Sequence, residues 1–329
     1  MASAHLRGSA GHDFSRVLCV GVDVTWWGGS PRRRDSQRET VIAAVLGRPA
    51  SLTIEAIDLH GAKNPRGGES TQANFDADGE LVCAGLQEVI GRFEGAFDRV
   101  VVALDAPLEA RHREGQPARK KAVRKGVKAG SERRQCEDEI QAYKSALPKA
   151  ERSAWSADLR IQAGSPIPPR IDAVVQRLSG LGYVPFRDTV APTQLVEVFP
   201  SEAICRLGLA GHYGSLSSKE VRAYKKDEPR KLPADEAREV AARPLRGFVP
   251  VLRSGGVEEV DVQSWIDAIV DFACTMAGRS DGMVRKSKGF DDPVDSGIAF
   301  LTAVCFAIGQ FTAWGDGTDG VIVGPGALS

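Results

Sequence analysis

The sequence lacks paired cysteines, metal-binding histidine spacings, a charge excess and a long apolar run, and each gap removes a class of function. Its six cysteines (Cys19, Cys83, Cys136, Cys205, Cys274 and Cys305) form no CxxC or CxxH pair, which argues against a structural zinc module. Most lie in apolar surroundings such as LCVGV and AVCFAIG and read as buried free thiols suited to a reducing compartment. The five histidines make no HxH or HxxxH spacing, so metal chemistry here would have to run on oxygen ligands. No GxxxxGK[ST] occurs, which sets aside a P-loop enzyme. No stretch reaches the ~18 apolar residues of a membrane span; GIAFLTAVCFAIGQFTAW comes nearest and, interrupted by glycine, reads as a buried helix. The first fifteen residues are small and polar. They predict a disordered N-terminus over 1–15, no signal peptide, no membrane association and a cytoplasmic location. Formal net charge is zero, so nucleic-acid binding would require local segregation of charge.

What is present is ordinary globular material, 42% hydrophobic and 26% charged. VLCVGVDVT is a β-branched run and predicts a strand over 17–25; TVIAAVLG and SLTIEAIDLH predict two more, joined by short connections as an antiparallel meander. ELVCAGLQEVIGRFEGAF has helical apolar spacing, predicting a helix over 80–96. FDRVVVALDAPL is a solidly apolar strand, expected to be central and parallel to a neighbour. Helices follow near 135–150 and 169–181, then the strand TQLVEVFP and a helix at PSEAICRLG. Residues 214–250 are charged and proline-punctuated and read as an irregular insertion or short helices. DVQSWIDAIVDFACTMAG and VDSGIAFLTAVCFAIGQFTAW predict strong helices, and GVIVGP a short closing strand. This order fits an α/β domain of ribonuclease-H-like layout, with three antiparallel strands, then parallel strands, and helices on both faces. A generic α/β domain fits it equally. The expected organisation is one domain over 16–329, with a basic insertion at about 108–135 and a helical or irregular one at about 205–260.

Four acids stand at strand centres, strand ends or helix starts: Asp23 in the first strand, Asp105 in VVALDAPL, Glu197 in LVEVFP, and Asp295 in DDPVDSGIAF. A carboxylate inside an apolar strand is costly unless paired. Each alone has a bland explanation as a turn cap or an arginine partner, but neighbouring strands of an α/β sheet bring such groups together at their ends. Crowded carboxylates repel, raising their pKa values unless a divalent cation neutralises them. Hard oxygen ligands favour Mg²⁺ or Mn²⁺, and two such ions about 4 Å apart can hydrolyse a phosphodiester.

The segments VGVDVTWWGG, VVALDAPL, RRQCEDEI, VEVFPSEA and the terminal DDPVDSGIAF with GDGTDGVIVGP resemble, as a set, the landmarks of the family called domain of unknown function 429, described as ribonuclease-H-like nucleases. Those landmarks are an early GxD strand, an xDxPL strand, an R-x-C-[DE] helix, an E-V-[HF]-P-E strand-to-helix junction, and a late D-A helix before a short terminal strand. The resemblance implies a nuclease using two Mg²⁺ or Mn²⁺ ions, with Asp23, Asp105, Asp295 and Glu197 catalytic and Asp23, Asp105, Asp295 and Glu137 as metal ligands. Ser296 stands where family members carry alanine, and a second D-A pair at Asp267 competes with Asp295 for the third acid. Spacing to the terminal strand favours Asp295.

Residues 111–134 hold ten Lys or Arg against two Glu, a purity of sign that a solvated helix face seldom shows. Arg119, Lys120, Lys121, Arg124, Lys125, Lys128, Arg133 and Arg134, together with Arg32, Arg33 and Arg34 of the first hairpin turn, are candidate phosphate contacts, and nucleic acid is the expected partner. Trp26 is a candidate base-stacking residue, though a core role for it is the plainer reading. Two other functions remain open. One is an actin-like or sugar-kinase-type enzyme, gripping phosphate with VGVDVTWWGG and a late glycine-rich GVIVGPGA. The other is a catalytically inactive nucleic-acid-binding module.

Overall fold

The computed structural model describes residues 16–24, 37–59, 69–108, 134–156, 169–225, 232–278, 291–315, 317 and 320–326. The expected disordered N-terminus, Trp26, Arg32, Arg33, Arg34 and the basic run from Arg119 to Arg133 lie outside the described residues.

Strand β1 (Val17–Asp23) is buried along its length except at its last residue, as an apolar run at the middle of a sheet must be. It pairs antiparallel with β2 (Gln37–Val45) and parallel with β4 (Arg99–Leu104); β3 (Thr53–Leu59) pairs antiparallel with β2. Beyond β4 lies the parallel β6 (Thr193–Val198), which also takes the short β5 (Val184–Pro185) and β8 (Ile322–Pro325) in parallel, and β7 (Phe311–Trp314) closes the edge antiparallel to β8. Among the described residues eight strands form one mixed sheet in the order β3-β2-β1-β4-β6-β8-β7, with β5 beside β6.

Helices cover both faces. Along the chain they are α1 (Glu69–Gly91), α2 (Gln135–Ala146), the single turn α3 (Lys149–Glu151), α4 (Pro169–Gly180), α5 (Pro200–Leu209), α6 (Ser218–Val221), α7 (Ala234–Arg246), α8 (Val249–Ser254), α9 (Glu259–Gly278) and α10 (Asp291–Ala307). On one face Leu18, Val20, Val22, Val102, Leu104 and Leu195 meet Val82 and Leu86 of α1 and Ile171 and Val174 of α4. On the other, Cys19, Val101, Ala103 and Val196 meet α10, itself backed by Leu245, Phe248, Trp265 and Ile269 from α7 to α9. All six cysteines are free and five are buried. Among the described residues no helix is long and apolar enough to cross a membrane.

Several elements differ from expectation. Helix α1 starts at Glu69 rather than 80; its first half, ESTQANFDADG, carries no apolar repeat to read. Residues 311–314 form β7 instead of prolonging α10, because Gly309 takes a positive φ of 76° just past the helix end, a conformation that stops a helix and favours glycine. Of the two readings of the charged stretch 214–250, an irregular insertion or short helices, the helical one holds, with a helix at 234–246. Its buried Ala237, Val240, Ala241, Pro244 and Leu245 recur at helical spacing beneath exposed arginines and glutamates.

Helix α10 lies directly on β1 at Gly21, where an added Cβ would overlap the backbone of Ser296 and Phe300. Backbone cannot swing aside as a side chain can. Gly21→Ala is therefore expected to cost about 2–3 kcal/mol, the upper part of the usual overpacking range, read as a lowered urea midpoint at unchanged slope. A change below ~0.5 kcal/mol would show that α10 does not seat there.

Candidate active site

The register of the parallel strands sorts the acids. Val22 pairs with Leu104 and Leu104 with Glu197, and the Asp105 N–H continues the ladder by donating to the Val22 carbonyl at 2.9 Å. Asp23 and Asp105 therefore end adjacent strands side by side. Side chains alternate between faces, so these two follow Gly21 and Ala103 onto the α10 face. Glu197 follows Leu195 and belongs to the face of α1 and α4.

On the α10 face, the first turns of that helix supply Asp291 and Asp292, both half-buried, and Asp295, 6% exposed. Pro293 is tolerated there because first-turn N–H groups have no helical partner to lose. Asp295 is held by two donors: the Tyr224 hydroxyl reaches Oδ1 at 2.6 Å and the Lys225 ammonium reaches Oδ2 at 2.8 Å. Both come from the short 3-10 turn 223–225 that follows α6. Burial works against the Lys225 charge, but Asp295 and Asp105 outweigh it and keep the ammonium protonated. Asp105 is half-buried and pushed up to about 8, first by desolvation and then by the charge of Asp295, with Lys225 pulling the other way and Glu197 and Asp292 adding to the rise. Desolvation, Asp295 and Asp292 likewise push Asp291 up to about 7. Negative charge thus exceeds what Lys225 neutralises.

Ser296 ties this face to the sheet. Wholly buried, its hydroxyl accepts from the Asp23 N–H at 3.1 Å and donates toward the carbonyls of Thr40 and Asp292 at 2.9 and 2.8 Å. Ser296 therefore fastens α10 to the residue that ends β1.

On the opposite face the expected catalytic or metal-binding role of Glu197 and Glu137 meets a different arrangement. Arg134 donates to both oxygens of Glu197, Nη1 to Oε2 at 2.7 Å and Nη2 to Oε1 at 2.5 Å, while its Nε donates to Glu137 Oε1 at 3.0 Å. The Arg134 N–H reaches Glu137 Oε2 and the Leu108 N–H reaches Glu197 Oε2. Arg134, Glu137 and Glu197 are each at most 8% exposed. Burial pushes the Glu197 carboxyl up; the Arg134 charge and the Leu108 N–H pull it back. Buried charges persist only when paired, and these pair with one another. Arg134, expected among the phosphate contacts, is turned inward. Leu108 and Arg134 flank segment 109–133, so Glu197 binds the chain on both sides of it.

Asp267, the competitor for the third acid, lies on α9, where it accepts from Gln263 at 3.0 Å and lines a shallow groove with Arg238 and Glu239. It is Asp295 whose charge bears on Asp105. The segment suggested as a late glycine-rich phosphate loop is strand β8, with Val323 buried and Gly324 packed against the Glu202 carboxylate, a poor neighbour for an anion. Sequence reasoning missed Tyr224, Lys225, Asp291 and Asp292. Only the doubled acid of DDPVDSG signalled any of them.

Among the described residues no three His, Cys, Asp or Glu stand close enough to form a ready metal-binding group. The donor chemistry nonetheless suits a hard cation, since carboxyls with excess negative charge are what Mg²⁺ or Mn²⁺ neutralises. No protein-family model matches the chain, and neither does any curated protein or solved structure, so a reading of its function rests on the geometry of these side chains.

Proposed function

We propose that the chain is a divalent-cation-dependent nuclease of ribonuclease-H-like type, in which Asp23 and Asp105 act together with the acids opening α10. One observation carries the reading: Asp23 and Asp105 end adjacent parallel strands side by side, on the face where α10 brings Asp295 within electrostatic reach of Asp105. The C-terminal edge of parallel strands is where α/β sheets place their chemistry. The strand order, an antiparallel β3-β2-β1 followed by parallel β4 and β6, supports the ribonuclease-H-like assignment. A bound divalent ion would supply an activated water and neutralise charge developing on a phosphodiester. The protein's own part is to hold the carboxylates. Ser296 fixes the backbone at Asp23, strand pairing fixes Asp105, and Tyr224 with Lys225 fixes Asp295. Nucleic acid as the substrate rests on the run of cations in 111–134, of which Arg134 is engaged inside the fold.

The test is cleavage of single-stranded, duplex, hybrid and branched substrates with Mg²⁺ or Mn²⁺, with Asp23→Asn and Asp105→Asn run beside the wild type. Ion-dependent cleavage that both substitutions abolish is the expected result. The proposal fails if every substrate survives and calorimetric titration detects no divalent ion bound. Nucleic-acid binding without cleavage would instead mark an inactive module.

A further inference from the structure

A two-ion site needs carboxylates from several elements to share two dications about 3.5–4 Å apart. Here one part of that arrangement is already taken. Each oxygen of Asp295 accepts from a donor of the protein itself, Oδ1 from the Tyr224 hydroxyl and Oδ2 from the Lys225 ammonium. Tyr224 is 1% exposed, so its hydroxyl has no route to solvent as an alternative partner and stays on Asp295. The Lys225 side chain is 28% exposed against 8% for Asp295, so the ammonium sits at the boundary of the buried acids and not out in water. Its charge also bears on Asp105. A dication entering the same space would meet a fixed positive charge at close range, and like charges repel. It would also have to displace a charge-assisted hydrogen bond, among the stronger non-covalent contacts in a protein.

We infer that the Lys225 ammonium is the resident second cation of this site, so the chain takes one divalent ion, on the Asp23–Asp105 side, where the nuclease reading expects two. The inference rests on that reading and refines its ion requirement. Lys225 is then a positioning residue. It keeps Asp295 oriented, and it supplies a positive charge that cannot exchange with solvent, as a metal ion can.

The test is the stoichiometry of Mn²⁺ binding by calorimetric titration of the full chain. Wild type is expected to bind one ion per chain, Lys225→Arg one, and Lys225→Met two, since removing the ammonium opens the Asp295 side. Two ions on the wild type would overturn the inference and leave the nuclease reading intact. One ion on a folded Lys225→Met, with thermal unfolding confirming the fold, would also overturn it. No ion on any of the three proteins would overturn both. The wild-type stoichiometry is decisive even if Lys225→Met does not fold.

Discussion

Replacing Arg134 by alanine is expected to destabilise the chain by about 3–5 kcal/mol, the usual consequence of breaking a buried ion pair by removing one partner. The guanidinium makes three side-chain hydrogen bonds to Glu197 and Glu137. Without it, Glu197, 4% exposed, keeps the Leu108 N–H as its one donor among the described residues. The charge must then be protonated, hydrated or exposed, and each route loosens β6 against the start of α2. Glu197→Ala should cost a similar amount, but it also deprives the Leu108 N–H of its acceptor, so the arginine variant is the cleaner measurement. Substituting both residues by apolar ones of similar volume should recover most of the loss, because desolvating two charges is itself expensive. Urea unfolding of the single and double variants reads all three values. A loss below ~1 kcal/mol for Arg134→Ala would show that the pair is not closed in solution.

Asp105→Asn is expected to do the reverse, stabilising the ion-free chain at pH 8 by about 2–4 kcal/mol while changing it little near pH 4. Burial and the Asp295 charge raise the Asp105 carboxyl from an ordinary 3.8 to about 8. Unfolded chain therefore gives up this proton near pH 4, whereas the folded chain keeps it until about pH 8. Across that window the folded state binds more protons, so wild-type stability falls as pH rises. Asparagine has no proton to lose and escapes the penalty. One pKa unit corresponds to about 1.4 kcal/mol, and the water that still reaches half-buried Asp105 trims the full value. Melting temperatures measured with a chelator from pH 4 to 8 should diverge, the variant's curve lying increasingly above the wild type's. Parallel curves would mean that Asp105 ionises freely in the fold. Under the nuclease reading the same substitution abolishes cleavage, giving a variant that is more stable and inactive.

Much of this arrangement is legible in the linear sequence. The apolar runs of β1, β4 and β6 declare buried strands, and a lone aspartate at the end of such a run marks a strand terminus with polar work to do. What periodicity cannot supply is the face on which an acid ends up. Glu197 lies in LVEVFP much as Asp23 lies in VGVDVT, yet one residue of register sends it to the opposite side of the sheet, a one-residue offset being enough to reverse a strand's faces. Nor does composition say whether a cation is solvated or internal. Arg134 closes a run of ten basic residues, and only the two glutamates waiting at β6 and α2 turn it inward. Lys225 was hidden for the opposite reason: the charged stretch around it reads as solvent-facing, and its partner Asp295 is 70 residues away.

The position of α10 has a consequence for how the molecule acquires its chemistry. Asp23 and Asp105 are brought together by strand pairing within the first third of the chain, but their helical counterpart is 273 residues beyond Asp23 at the Ser296 contact. Contacts so distant along the chain are slow to form, because a large loop must close before any contact rewards it. During synthesis the two strand-end acids therefore emerge long before the residues that oppose them. Until α10 settles onto Gly21, the sheet exposes an apolar face and an incomplete cluster of acids. Completion of the core and assembly of the site are then one and the same event, and a chain interrupted before residue 291 would have neither.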